Sequence, residues 1–245
     1  MDTTIRENNL ALSISDLSYR YADGTLALQD VNFQLASGES LAVIGPNGAG
    51  KSTLLLCIAG IFMSSGNVFI QNQRLTEKNR RALRRKLALV FQDPDDQLFM
   101  PTLAEDVAFG PRNLGLAEAE VQERVEWTLA LLGLTNQANR PPHHLSFGEK
   151  RRAAIAIALA MKADLLLLDE PTANLDPATR YEVIEFLSQL PSTKIIATHD
   201  LELARQLGTR CLLLASGKQI ALDSNGEILN NVEYLVKYRL APQIG

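Results

Sequence analysis

The stretch "GPNGAGKST", Gly45 to Thr53, stands between the apolar runs "SLAVI" and "LLLCIAG". Three glycines and a proline crowd into its first six residues, and glycine loses more backbone freedom on folding than any other residue. Such a segment is tolerated where the backbone must approach something closely. Its neighbours restrict the fold further. The run before it reads as a buried strand, and the run after it reads as a helix closed by Gly60. A strand, a tight loop and a helix in that order point to an α/β architecture with the loop at the carboxyl end of a strand.

The loop fits G-x-x-x-x-G-K-[ST], a pattern with a mechanism. With no Cβ at Gly45, Gly48 or Gly50, the backbone can curl around a phosphate, Pro46, Asn47 and Ala49 completing the ring. The helix that begins near Thr53 adds the positive end of its dipole. Lys51 can neutralise the outer phosphates, and the Ser52 hydroxyl can hold Mg2+. A nucleotide site of this kind also needs carboxylates, and "LLLLDE" supplies two. Asp169 ends that strand and can hold the metal, through water in the simplest arrangement. Glu170 can orient or deprotonate an attacking water.

Elsewhere the chain alternates between elements. "ALSISDL" and "ALQDVNFQL" alternate apolar and polar residues around an "ADG" turn, as antiparallel strands do. "GNVFIQ", "KLALVF" and "KIIATHD" read as further strands, and "CLLLASGKQIAL" as a hairpin before a helical tail. From Pro101 to about Met161 the pattern is helical, with Val121, Val125, Leu129 and Leu132 on one face of a helix closed by Gly133. The expected class is therefore α/β, with a mostly parallel core sheet, an N-terminal antiparallel part and an inserted helical part. Gly45, Gln92, Asp169, Glu170 and His199 each fall at or just beyond the end of an apolar strand. In a parallel sheet those ends form one edge, where ligands bind.

A second anion site is expected at "LSFGEKRR". Ser146 reads as an N-cap with Glu149 three residues on, a capping box ahead of the apolar helix "AAIAIALAM". The start of that helix, with Ser146 and Gly148, need not face its own chain's phosphates.

Composition excludes some classes. The 245 residues carry a formal net charge of −4, which argues against nucleic acid as the main partner. The exception is "KNRRALRRK", six basic residues between Lys78 and Lys86, read as a solvated helix face or else an interaction surface. Cys57 and Cys211 lie in apolar runs and read as buried reduced thiols. "MDTTIRENNL" lacks the basic start and apolar stretch of a signal peptide, and no apolar run approaches the ~18–20 residues that span a bilayer. A cytoplasmic chain that serves a membrane through partners is expected. His143 and His144 are read as pointing apart, with no cysteine cluster to complete a metal site.

Taken together, these segments resemble the ATPase subunit of an ABC transporter over nearly the whole chain. "GPNGAGKST" resembles the Walker A loop, "LLLLDE" Walker B, and "LSFGE" the signature usually written LSGGQ. Gln92 matches the Q-loop glutamine, "NLD" from Asn174 to Asp176 the D-loop, and His199 the switch histidine. The resemblance implies an ABC ATPase fold in a single domain over 1–245, with a nucleotide-binding core at 1–93 and 162–245 and a helical part at 94–161. It implies ATP and Mg2+, the metal near Ser52, Gln92 and Asp169, and hydrolysis by Glu170, His199 and Gln92. Tyr21 sits where the family places an adenine-stacking aromatic, Tyr19 remaining open. It further implies a head-to-tail pair of ATPase chains, identical or closely related. Ser146 and Gly148 of one would then reach the γ-phosphate held by the other, with Asp176 close by. Phe147 in place of the first signature glycine and Glu149 in place of glutamine are departures; Gly148, which the family sets against phosphate, is kept.

"VFQDPDDQLFMPTLAEDVAFGPRNLGL" and "ATHDLELA" resemble energy-coupling-factor (ECF) importers, especially the cobalt and nickel group. There this region meets a membrane-embedded subunit at the cytoplasmic face, a contact suited to exposed Asp95, Asp96 and Gln97 beside Leu98, Phe99 and Met100. The alternatives are an ECF vitamin importer ATPase, a soluble ABC ATPase acting on nucleic acid or the ribosome, and a small-molecule kinase. A kinase would leave "LSFGE" and the D-loop without a purpose.

Overall fold

The computed structural model describes residues 10–241. The signal-peptide reading of the first nine residues thus lies outside the described part. Ten strands form a sheet in the order β5-β4-β1-β2-β10-β9-β3-β8-β7-β6. They are β1 (Leu10–Arg20), β2 (Leu26–Ala36), β3 (Ser40–Ile44), β4 (Ser65–Ile70), β5 (Gln73–Arg74), β6 (Leu87–Val90), β7 (Leu165–Asp169), β8 (Thr193–Thr198), β9 (Arg210–Ala215) and β10 (Lys218–Ser224). β9, β3, β8, β7 and β6 run parallel, and β1 pairs antiparallel with β2 and β4. The β9–β10 hairpin stands in the middle of the order and joins the two parts, β10 meeting β2 at Lys218 and Gln29.

Every residue of β3, β7 and β8 is buried, as expected of parallel strands covered on both faces. Because side chains alternate across a strand, β7 feeds two cores. Leu166 and Leu168 face one that also holds Val107, Val125 and Leu129. Leu165 and Leu167 face another, with Leu54, Leu55 and Ile58. The second core belongs to α1 (Lys51–Ile58), with Gly60 in the left-handed region at φ 63°. The first belongs to three helices, α3 (Leu103–Asn113), α4 (Glu118–Leu131) and α5 (Phe147–Ala160), with α2 being Arg80–Leu83. Val121, Val125 and Leu129 of α4 and Leu132 just past its end are all buried, and Gly133 follows at φ 65°. Along α5, Ala153, Ala154, Ala156, Ala158 and Ala160 are buried; such small side chains let neighbouring backbones approach closely. α6 (Pro177–Gln189), α7 (Leu201–Leu207), α8 (Asn225–Asn230) and α9 (Val232–Lys237) complete the chain.

The basic run is not one solvated face. It folds as α2 and a single 3-10 turn, and Arg84 reaches back to donate to the carbonyls of Ala59 (3.1 Å) and Gly60 (2.6 Å). Those carbonyls end α1, where a cation complements the helix dipole. Among the described residues no helix is long and apolar enough to cross a membrane.

Candidate active site

Register brings the predicted residues to one edge. Ile44 pairs with Thr198, Asp169 with Ala197 and Val90 with Leu168, so β3, β8, β7 and β6 end level with one another. A cavity of about 500 Å3 opens there, lined by Asn47 through Thr53, by Gln92, Asp169 and Glu170, and by Tyr21. The loop closes over its own lysine. Lys51 is buried and its Nζ donates to the carbonyls of Gly45 (2.8 Å) and Pro46 (3.2 Å). Burial lowers the ammonium's pKa, while Glu170 and Asp169 pull it back up. Gly50, at φ 104°, leads into α1, and a Cβ on it would lie 2.7 Å from the Ala27 carbonyl. No other residue type fits there without moving backbone.

Two tyrosines were open for the outer wall, and the geometry separates them. Tyr21 lines the cavity and its hydroxyl pairs with Thr53 Oγ1 at 2.9 Å. Tyr19 instead stacks flat on Phe62, centroids 4.9 Å apart, and meets Tyr21 edge-on. Tyr19 thus braces the aromatic that faces the cavity.

Asp169 is buried, and its Oδ1 has no hydrogen-bond partner. Burial raises its carboxyl pKa; the neighbouring Ser52 hydroxyl opposes that, Glu170 adds to it, and Lys51 and Arg151 oppose it. An orphaned buried carboxylate oxygen beside a hydroxyl and the Gln92 amide is a set of hard oxygen donors. That set fits Mg2+, which takes few protein ligands and shares the rest with phosphate and water. Bound there, the ion would neutralise charge on the phosphates. Among the described residues no group of three or more His, Cys, Asp or Glu could hold a metal unaided.

Glu170 leaves the strand in the left-handed region, at φ 46°, a conformation costing a non-glycine residue about 1–2 kcal/mol. That turn aims its side chain across to the end of β8. Glu170 Oε2 accepts from Thr198 Oγ1 (2.8 Å), and Oε1 accepts from the His199 backbone N–H (2.9 Å) and lies 2.6 Å from His199 Nδ1. The Glu170 side chain is 7% exposed while that of His199 is 59% exposed. A fixed carboxylate with an accessible imidazole beside it can hold a water and pass on its proton.

The predicted residues do not all meet. Ser146 caps α5, accepting from the Glu149 N–H, while Glu149 Oε2 accepts from the Ser146 N–H at 2.7 Å. Neither Ser146 nor Gly148 lines the Lys51 cavity. Asp176 caps α6, accepting from the Ala178 and Thr179 N–H groups, and also stands outside it. Gln97 was read as exposed beside Asp95 and Asp96, but it is buried. It accepts from the Phe91 N–H and donates to the Ala154 carbonyl (2.9 Å), because the loop after β6 must find partners on α5 once it leaves the sheet. Leu98 is buried too, whereas Phe99 is 63% exposed. His143 and His144 do not point apart; their rings meet at 4.3 Å. They share a 3-10 turn, where successive side chains differ by about 120° rather than alternating as in a strand.

Sequence reasoning missed three contributors. Thr198 was only part of a strand. The Ser216–Gly217 turn of the β9–β10 hairpin lines the cavity and ties to it through Gly217 N–H to Ala49 O (3.0 Å). Arg151, 1% exposed, donates to the carbonyls of Phe91 and Gln92. Nothing local marked Arg151 out from Lys150 and Arg152 on either side of it.

The family model that matches this architecture is described as ABC transporter and covers residues 28–173, more than half the chain. The chain belongs to the ABC transporter family. It carries that family's ATPase fold, uses ATP with Mg2+, and is the ATP-hydrolysing component of a transporter. It is 48% identical over 230 residues to the energy-coupling factor transporter ATP-binding protein EcfA of Methanothermobacter thermautotrophicus, covering 91% of this chain and 74% of that one. Among solved structures it is similar to CbiO1 of Clostridium perfringens, part of the ABC transporter complex CbiONQ. There the TM-score is 0.81 and the identity 37%, over 95% of each chain. The ATP-binding cassette MJ0796, solved as a dimer in a post-hydrolysis state with ADP and Pi, gives a TM-score of 0.80 and 30% identity, over 87% of this chain and 98% of that one.

Proposed function

We propose that this ABC ATPase powers an ECF-type importer, working at the cytoplasmic face of a membrane as a head-to-tail pair with a second copy or a close relative. One observation carries the pairing. The Lys51 cavity holds a loop, an orphaned carboxylate and the Glu170 carboxylate, yet Ser146 and Gly148, at the start of α5, lie outside it. A helix start prepared for phosphate has use only if another chain's nucleotide comes to it. Glu170 is the base, oriented by Thr198 and His199; Gln92, Asp169 and Ser52 hold the metal; Tyr21 stacks on the adenine; Asp176 and the D-loop complete the facing surface.

The contact with a membrane-embedded partner is supported by the loop after β6. Phe99 and Phe109 stand exposed and edge-to-face at 5.1 Å, and Phe109 borders an apolar cavity of about 390 Å3 with Ile61, Leu89, Ile157 and Met161. The ECF assignment, with cobalt or nickel as cargo, is supported by the "VFQDPDDQLFMPTLAEDVAFGPRNLGL" segment and by the likeness to EcfA and to CbiO1. The test is to purify the membrane complex and follow uptake of cobalt, nickel and a vitamin in vesicles loaded with ATP. Uptake of neither metal would remove that cargo. A Phe99→Asp variant that still co-purifies with its membrane partner would remove the docking surface.

A further inference from the structure

Among the described residues Arg151 is the largest fully buried side chain, and its environment is odd. A buried guanidinium normally faces a carboxylate. Among the described residues Arg151 forms no ion pair. Its Nη1 donates to Phe91 O (3.1 Å), its Nη2 to Gln92 O (2.8 Å), and its Nε has no partner. Its Cζ lies over the Phe147 ring, 5.5 Å from the ring centre. Burial lowers the guanidinium's pKa, and the more distant Asp93, Asp169 and Glu170 counter that. Leucine or methionine would fill this space without desolvating a charge. What they would not supply is a planar fork gripping two successive carbonyls.

The position of those carbonyls matters. Phe91 and Gln92 follow the end of β6, and the Gln92 side chain lines the Lys51 cavity. Arg151 lies one turn after Gly148, at the start of α5. Two further contacts hold the same loop to α5: the Lys150–Asp95 ion pair (2.7 Å) and the Gln97 bond to Ala154. Arg151 is the member that grips Gln92 itself. Arg151, Phe147, Gln92 and Asp169 also share the wall of a second cavity of about 460 Å3 beside the nucleotide site.

We propose that Arg151 is a positioning residue for ATP hydrolysis, making the main chain at Gln92 follow the start of α5. A phosphate gripped at Ser146 and Gly148 and the Gln92 amide in the chain's own cavity are thereby set together, which links the two nucleotides of a pair. The link rests on the head-to-tail reading above. It also gives Phe147 a purpose, because the buried cation lies over the face of its ring.

The test uses the full chain with Arg151→Met, Arg151→Lys and Gln92→Ala, and with Arg151→Met in the Gln92→Ala background. ATP affinity is measured by equilibrium binding, turnover at saturating ATP, and folding by melting temperature. Arg151→Met is expected to keep ATP affinity within about threefold while turnover falls about tenfold or more. Lysine should restore part of the loss by holding one carbonyl. With Gln92 already removed, Arg151→Met should cost less than about twofold more, since both act through one group. The proposal is overturned if Arg151→Met turns over like the wild type, or if it costs a further tenfold without Gln92. It is equally overturned if affinity and turnover fall in step with melting. Should the methionine variant not fold, the lysine variant is judged by the same criteria. Scattering of Glu170→Gln with ATP separates the two readings. A monomer there removes the paired arrangement, whereas a dimer with an indifferent Arg151 removes this inference alone.

Discussion

The two anion sites proposed for this chain, around Lys51 and at the start of α5, are built in opposite ways. The first is made of backbone and buried charge. Lys51, Asp169 and Glu170 are all at least 90% buried, and three strand ends in register hold them. The second is an exposed helix start whose serine and glutamate cap one another, with Phe147 41% exposed beside them. A site that must strip water from a triphosphate has to be preorganised and dry. A site that must meet another chain has to be presented. One stores electrostatic cost, the other offers an exposed surface, and mutations should act on them differently.

Glu170→Gln should break the comparison most severely. Amide in place of carboxylate keeps the shape and the Thr198 contact but removes the proposed base, so turnover should fall by about 10³-fold with ATP still bound. Equilibrium binding alongside a phosphate-release assay reads both; unchanged hydrolysis would remove Glu170 from that role. Next comes Lys51→Ala, expected to weaken ATP binding itself by about 100-fold, or ~2.7 kcal/mol. Normal affinity in that variant would contradict the assignment of the loop.

Phe147→Gly, at the presented site, should be milder. The loss is a ring over Arg151 plus about 1 kcal/mol for glycine in a helix, so turnover a fewfold lower is expected, measured at saturating ATP. A loss as large as that of Glu170→Gln would make the aromatic part of the chemistry.

The smallest effects concern acid stability, and their signs oppose. The Ser146 N–H holds the Glu149 carboxyl below the usual range. Its contribution to folding is present above the ordinary glutamate pKa of ~4.3 and is lost as pH falls through the depressed folded value. Burial holds Asp169 above the usual range. Its contribution runs the other way, lost as pH rises through the raised folded value, so at neutral pH the ionised group is a standing cost. Asp169→Asn without nucleotide should therefore raise the melting temperature at pH 7 by about 2 °C or more, and Glu149→Gln should flatten the acid limb. Melting curves between pH 4 and 7 check both.

Much of the phosphate side was legible in the residues, because local rules govern it. Glycine spacing, a lysine at a helix start, and a leucine strand ending in two acids each imply their geometry within a few positions. The helix capped by Ser146 was legible for the same reason. Gln97 was not. Its neighbours Asp95 and Asp96 are exposed as read, and nothing local distinguishes it from them. What buries it is a carbonyl on a helix far along the chain. The His143–His144 contact likewise depended on a 3-10 turn that two adjacent histidines do not announce.

The chain's own pattern thus determined which residues could hold a phosphate and which strands would carry them to one edge, since period, glycine placement and capping act over a turn or two. The folded structure alone decided which tyrosine faces the cavity, that Glu170 would be held by Thr198, and that Arg151 would grip Gln92. Those choices rest on contacts between segments distant in sequence, where packing and the need to satisfy buried polar groups override any local preference.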